Sequence, residues 1–227
     1  MPPIGRWGLT LDEGKLNKLR CDPRFHRAMT LAHILNSLRF AQAAAFGWPD
    51  QDAPAATRQR AGAFFYLCGL LDEGLNFAQH LGQHFRELQA YGALKELLAE
   101  SDTKALRAGL LDRMRNNAVF HNNEEVVSST IPKIEMPGYE IVSAQGNRQI
   151  DIYYPFADAA YFAFTVGDVD PSMSFQAVLG EALSKVLALS TSFAAAAEGL
   201  LTEELLRLGV SSVTYPTPGT STSGEVF

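Results

Sequence analysis

Two long segments with an apolar stripe at helical spacing constrain the fold of this chain more than any other feature. In each segment apolar residues recur every three or four positions, as expected for an amphipathic helix that buries one face. The stripes are Phe25, Met29, Ala32, Leu35, Leu38, Ala41 and Ala45 in the first segment and Phe64, Leu67, Leu71, Leu75, Ala78, Leu81 and Phe85 in the second. Because only a short loop around residues 49–54 separates them, the two segments are expected to form an antiparallel helical hairpin, which is half of a bundle.

Further helices extend this pair. Asp22–Pro23 and Asp170–Pro171 both indicate helix starts, because aspartate caps an N-terminus and proline fits the first helical position. A helix that begins at Ser101–Asp102 turns apolar residues inward, and the last helix, which ends at Gly209, carries the longest stripe. These stripes are Leu106, Leu110, Met114 and Ala118, and Phe175, Val178, Ala182, Val186, Leu189, Phe193, Ala197, Leu201, Leu205 and Leu208. We therefore predict a mostly α fold, an antiparallel bundle of four or five long helices in a single domain over residues 1–210.

The periodicity changes between about residues 131 and 155. Helix-breaking prolines and a glycine open this stretch, and over 150–154 the residues alternate in the manner of a strand. Gly146–Asn147 suits a tight turn, so we predict a small two-stranded β-hairpin insert at about residues 138–155. A short helix over PFADAAYFAF is expected to follow. Residues 211–227 are rich in Ser, Thr, Pro and Gly and are expected to form a flexible tail unless something holds them.

Composition and charge exclude several classes of protein. With 227 residues, 47% hydrophobic and 19% charged, the chain can bury a core and is not expected to be disordered. A net charge of −6 disfavours a broad surface for nucleic acid, but it allows a small RNA-cleaving pocket. The longest nearly uninterrupted apolar run, residues 61–71, is too short for a bilayer span, and the N-terminus lacks an apolar stretch of signal-peptide length. We expect a cytoplasmic protein without a membrane partner.

Several common catalytic motifs are missing from the sequence. It contains no glycine-rich dinucleotide or phosphate loop, no zincin motif and no serine-hydrolase elbow, so we expect no cofactor and no metal ion. His80 and His84 have metal-compatible spacing with Glu73, but without a further cluster of ligands we interpret them as structural. Neighbouring carboxylates such as Asp72–Glu73 and Glu203–Glu204 are interpreted as solvated helix faces. Cys68 lies in an apolar helix and is interpreted as a core residue rather than a nucleophile.

The run RNNAVFH (residues 115–121) is the one constellation that favours a particular chemistry. In a straight helix Arg115 and His121 would lie ~9 Å apart along the axis and about 120° apart around it, so a shared pocket at the helix end is within their reach. The planar, permanently charged guanidinium of arginine suits a pair of phosphate oxygens. Histidine titrates near neutral pH and can take the proton of a 2′-hydroxyl or give one to a leaving 5′-oxygen. The pair therefore suits cleavage of a phosphodiester; without a metal ion the neighbouring 2′-oxygen would attack the phosphate, which requires RNA rather than DNA.

At these residues the chain resembles the HEPN family of small helical bundles. The signature of that family is an arginine, a polar residue after it, and a histidine separated from the arginine by four to six residues, and Arg115, Asn116 and His121 match it. The resemblance implies a homodimer that places two motifs in one cleft. In active members it implies a metal-independent endoribonuclease, with His121 as acid and base, Arg115 on the phosphate and Asn116 as an orienting residue. It also implies, for part of the family, a toxin paired with a nucleotidyltransferase-like antitoxin.

A second interpretation of the same residues is structural. The spacing of Arg115 and His121 also occurs at Arg20–His26 and Arg27–His33, although only Arg115 is followed by a polar residue at the end of a bundle helix. On this interpretation Arg115 and Asn116 solvate a helix end and His121 caps it or packs beside Phe120. The protein is then a catalytically silent helical module that binds a nucleotide, RNA or a protein.

Overall fold

The computed structural model describes residues 6–46, 54–116, 128–131, 143–144, 152–153, 155–166 and 175–215, and the fold is mostly α-helical. Its elements are β1 (Arg6–Thr10), α1 (Glu13–Leu19), α2 (Pro23–Phe46), α3 (Pro54–Phe85), α4 (Tyr91–Ala99), α5 (Ser101–Leu106), a π-helical turn (Arg107–Leu111), α6 (Asp112–Met114), β2 (Ser143–Ala144), β3 (Ile152–Tyr153), α7 (Pro155–Val166), α8 (Phe175–Arg207) and β4 (Ser211–Tyr215). None of the helices that the structure describes combines the length and the apolar character needed to cross a membrane.

The ends of the long helices follow from local chemistry. Asp22 caps α2, because its Oδ1 accepts a hydrogen bond from the backbone N–H of Arg24 at 2.7 Å, and Pro23 occupies the first helical position as predicted. Helix α8 ends at Arg207, and Gly209 just after it has a φ of 78°, in the left-handed region. The N–H groups of Gly209 and Val210 then bond back to the carbonyls of Leu206 and Leu205 in a Schellman motif.

The core lies between α2, α3 and α8. The predicted stripe of α3 is confirmed, since all seven of its residues are at most 2% exposed, and Cys68 beside them is fully buried. On α2 the predicted face is partly wrong: Met29 is 38% exposed, whereas Ala28 and Leu31 are buried in its place. Helix α2 packs against α3 on one side and α8 on the other, so two neighbours decide which of its apolar residues are covered.

Contacts between side chains give the direction of each helix. Arg24, at the start of α2, lies over the ring of Phe85 at the end of α3, and farther along α2 Gln42 donates to Ser190 of α8 at 2.8 Å. Helix α2 therefore runs antiparallel to both α3 and α8. A Cβ atom added to Gly74 would lie 3.0 Å from Phe193 of α8 and 3.1 Å from Ile34 of α2, so a glycine at this position lets the three helices approach closely.

The number of long helices differs from the prediction. Within the described residues three helices are long, α2, α3 and α8 with 24, 32 and 33 residues, whereas we expected four or five. Residues 91–116 form shorter segments that pack on α3 and α8. The predicted short helix after the insert is confirmed as α7, whose Phe162 ring lies 5.5 Å from that of Phe64.

Two short strand pairs accompany the helices. Ser143–Ala144 pairs antiparallel with Ile152–Tyr153, but the residues between them lie outside the described part, so the β-hairpin as a whole stays a prediction. Residues 211–215 form β4 and pair antiparallel with β1, from Arg6 opposite Tyr215 to Thr10 opposite Ser211. We expected a flexible tail to begin at residue 211. Backbone pairing with the N-terminal segment holds its first five residues, and residues 216–227 lie outside the description.

A cluster of charges closes one end of the bundle. Arg24 donates from Nε and Nη2 to the two oxygens of Glu204 at 2.6 and 2.7 Å and from Nη1 to Glu87 at 2.5 Å. Glu204 is only 1% exposed, so its interpretation as a solvated residue is wrong. It faces inward near the end of α8, where the guanidinium of Arg24 balances its charge. Hydrogen bonds from Arg24 and Arg207 lower the pKa of Glu87 to about 2. The stability that Glu87 contributes is therefore present above its unfolded pKa and is lost as the pH falls toward about 2.

Replacing Glu204 by Ala is expected to lower the free energy of unfolding by about 3 kcal/mol, because it leaves Arg24 without its buried partner. Glu198→Ala on the same helix is a matched control, since it removes a pair with Arg39 that is 39% and 56% exposed and is worth at most about 1 kcal/mol. Urea unfolding followed by circular dichroism measures both. Equal losses in the two variants would contradict a special role of the buried pair.

Candidate functional site

A polar pocket of about 340 Å³ lies between α3 and the helical segment 101–116. Its lining residues are Asp72 and Asn76 of α3, Lys104 of α5, Arg107 and Ala108 of the π turn, Asp112 of α6, and Arg115. The pocket thus includes the arginine of the sequence motif and several charged residues that the sequence analysis did not connect with it.

Asp72 is at the centre of this pocket. Its side chain is 8% exposed, and its two carboxylate oxygens face two different arginines: Oδ1 lies 3.8 Å from Nε of Arg107, and Oδ2 lies 3.7 Å from Nε of Arg115. Asn76, one turn later on α3, donates to Oδ2 at 3.1 Å. The interpretation of Asp72 as a solvated residue is therefore wrong, because the segment 101–116 covers this side of α3.

The electrostatics of Asp72 are balanced between burial and charge. Burial is the largest effect and raises the pKa of Asp72 above its ordinary value, although Arg107 and Arg115 act in the opposite direction. The nearby carboxylates Glu73 and Asp112 also raise it. The two arginines thus offset only part of the cost of placing an ionised carboxylate here.

The π turn explains how both arginines reach one carboxylate. The backbone N–H of Asp112 bonds to the carbonyl of Arg107, five residues back, so the turn holds one residue more than an α-helical turn. In a regular helix Arg107 and Arg115, eight residues apart, would point about 80° apart. The extra residue reduces this angle to about 20°, which places both side chains on the face toward Asp72.

Arg115 and Asn116, two of the three predicted site residues, contact carboxylates at this pocket. Arg115 is 39% exposed and bonds through Nη2 to Glu73 at 2.8 Å, in addition to facing Asp72. Asn116 is exposed and donates from Nδ2 to Asp112 at 2.8 Å. His121 lies outside the described residues, so its predicted place beside Arg115 stays a prediction.

Arg107 and Lys104 are candidate functional residues that the sequence analysis missed. Arg107 donates to the side-chain oxygen of Asn76, while its Nε is buried without a hydrogen bond. Lys104 lies three residues earlier, on the same side of the segment. The spacing of Asp72 and Asn76 within an apolar helix was an available signal, since residues four apart share a face. The alignment of Arg107 with Arg115 was not, because it depends on the π turn.

Two other candidate sites offer fewer groups that could bind a ligand. Within the described residues no group of three His, Cys, Asp or Glu side chains is placed to hold a metal ion, and Glu73 pairs with Arg115 rather than with His80 or His84. A pocket of about 490 Å³ lies on the other side of segment 101–116, against α8. Its wall is mostly apolar, and its Lys185 is paired with Glu181 at 2.5 Å.

Replacing Asp72 by Asn is expected to change how the free energy of unfolding depends on pH. The folded chain holds the pKa of Asp72 above its ordinary value of about 4. Between the unfolded and the folded pKa, Asp72 is therefore protonated more often in the folded chain than in the unfolded chain. The stability of the wild type relative to Asp72→Asn should therefore decrease with rising pH over that window. Urea unfolding of both proteins at several pH values measures this difference, with Glu96→Gln, at an exposed residue of α4 that does not line the pocket, as the control. A difference that increases with pH would mean that the arginines outweigh burial.

No protein-family model, curated protein or solved structure matches the chain at a significant level. The resemblance to HEPN proteins therefore depends on Arg115, Asn116, His121 and the helical bundle around them. Any function has to be argued from the pocket itself.

Proposed function

We propose that this chain is a HEPN-like protein that acts on RNA as a homodimer and cleaves it without a metal ion. The observation that supports this proposal best is the set of charged residues that contact Arg115 at the pocket. The motif arginine does not extend from a helix end into solvent; Asp72 and Glu73 hold it at the edge of a pocket that also contains Lys104 and Arg107. A fixed guanidinium beside two more cations is suited to a phosphodiester.

In the proposed reaction the nucleophile belongs to the RNA. His121 takes the proton of a 2′-hydroxyl, and the 2′-oxygen attacks the adjacent phosphorus while the bond from phosphorus to the 5′-oxygen breaks. The leaving 5′-oxygen receives a proton, so the products are a 2′,3′-cyclic phosphate and a 5′-hydroxyl. Arg115 stabilises the charge on the non-bridging oxygens, and Asn116 orients the reacting groups.

The two carboxylates at Arg115 have different roles in this proposal. Glu73 is 48% exposed, and an exposed ion pair contributes little, so a phosphate can replace it on Nη2 of the guanidinium. Asp72 is buried and faces Nε, so it continues to position Arg115 after the exchange. The ion pair with Glu73 is thus compatible with binding of an anion.

A second candidate function is the catalytically silent binding or structural protein. It is favoured by one observation: Arg115 and Asn116 both have carboxylate partners within the chain. On this interpretation Arg115→Ala lowers the free energy of unfolding, and the wild type does not cleave RNA.

Incubation of a mixed RNA pool with the protein in EDTA tests the proposal. The wild type is expected to cleave and to leave 2′,3′-cyclic ends, whereas His121→Ala is expected to be inactive because it lacks the acid and base. His33→Ala is the matched control: His33 ends an arginine–histidine run of equal spacing and is exposed on α2. Loss of cleavage in both histidine variants, or cleavage that needs a metal ion, would contradict the mechanism.

Sedimentation tests the homodimer. The wild type should give twice the mass of the 24.8 kDa chain. A wild type that sediments as a monomer would contradict the proposal.

A further inference from the structure

Arg107 has a hydrogen-bonding capacity that its surroundings do not use. Its side chain is 17% exposed and is held by Asn76, yet its Nε lies 3.8 Å from Asp72 and forms no hydrogen bond. Lys104 is exposed and pairs with no carboxylate in the part of the chain that the structure describes. Asp72 and Asn76 therefore account for the position of Arg107 but not for its unused Nε, and no carboxylate of the described residues accounts for Lys104.

The sign of the charge at the pocket differs from that of the whole chain. The chain carries a net charge of −6, whereas the residues that line the pocket are three cations, Lys104, Arg107 and Arg115, against Asp72 and Asp112. Glu73, at the edge, pairs with Arg115 and is the most exposed of the nearby carboxylates on α3. The lining residues thus carry one more positive than negative charge, and Glu73 balances this charge while it pairs with Arg115.

The three cations form a row along one helical segment. Lys104 and Arg107 lie about 4.5 Å apart along the axis, and the π turn brings Arg115 onto the same face as Arg107. The Nε atoms of Arg107 and Arg115 face the two oxygens of one carboxylate at 3.8 and 3.7 Å, so the two guanidinium groups are close neighbours in this row. One phosphate would occupy only one end of this row.

We propose that Lys104 and Arg107 form a second phosphate-binding subsite, which holds the phosphodiester next to the one at Arg115. The ligand of the whole pocket is then a single RNA strand with two consecutive phosphates in place. The subsite deepens the function proposed above and depends on it, because Arg115 supplies the first phosphate position. Asp72 lies between both guanidinium groups and positions them.

The test measures binding separately from cleavage. Fluorescence anisotropy with a short 2′-O-methylated single-stranded RNA, which cannot be cleaved, gives the Kd at several salt concentrations. Lys104→Gln is expected to weaken binding about three- to tenfold and to lower the slope of log Kd against log salt by roughly one unit. Arg107→Lys keeps the charge but loses the planar fork, so it should weaken binding without changing the slope as much.

Lys95→Gln is the matched control, because Lys95 is an exposed lysine on α4 that lines neither pocket. Unchanged binding by Lys104→Gln, or equal weakening in Lys95→Gln, overturns the subsite, and it leaves the proposed function standing if the wild type still cleaves RNA in EDTA. A wild type that neither binds the methylated strand nor cleaves RNA overturns both. Weakening confined to Lys104→Gln and Arg107→Lys supports the subsite.

Discussion

Helix α3 packs against the apolar helices α2 and α8 on one face and against the charged segment 101–116 on another. The rest of the structure depends on this double packing. One face carries the leucines and phenylalanines that α2 and α8 cover. On another side the same helix presents Asp72, a carboxylate that is nearly as well buried as the leucines around it. A buried carboxylate requires positive partners, so the segment that packs there has to bring cations with it.

In the part of the chain that the structure describes, two buried carboxylates face arginines, and the contacts of the two differ. Glu204 receives two hydrogen bonds from one guanidinium, at 2.6 and 2.7 Å, and its oxygens are satisfied within the bundle. Asp72 lies between two arginines, at 3.7 and 3.8 Å from their Nε atoms, and closes on neither. The first arrangement holds helix ends together. The second leaves a buried donor without a partner beside an open pocket, which is the physical reason to look for a ligand there.

A π-helical turn beside that pocket agrees with this interpretation. Such turns weaken the regular hydrogen-bond ladder and occur frequently at functional sites. Here the turn has a definite geometrical result, because it aligns Arg107 with Arg115 across eight residues of sequence. Without it, the two arginines would lie about 80° apart around the helix instead of about 20°.

The local sequence pattern was sufficient to predict most of the helices and their ends. The helical periods of α2 and α3, the cap at Asp22, the left-handed end at Gly209 and α7 could all be predicted, because they depend on residues close together in the chain. The motif at Arg115 was visible for the same reason, although its third member, His121, lies outside the description. The burial of Asp72 and Glu204, the exposure of Met29, the strand formed by residues 211–215 and the alignment of Arg107 with Arg115 could not be predicted. Each depends on which distant element covers a residue, and in the case of Arg107 on a single additional residue in a helical turn, so only the tertiary structure decided them.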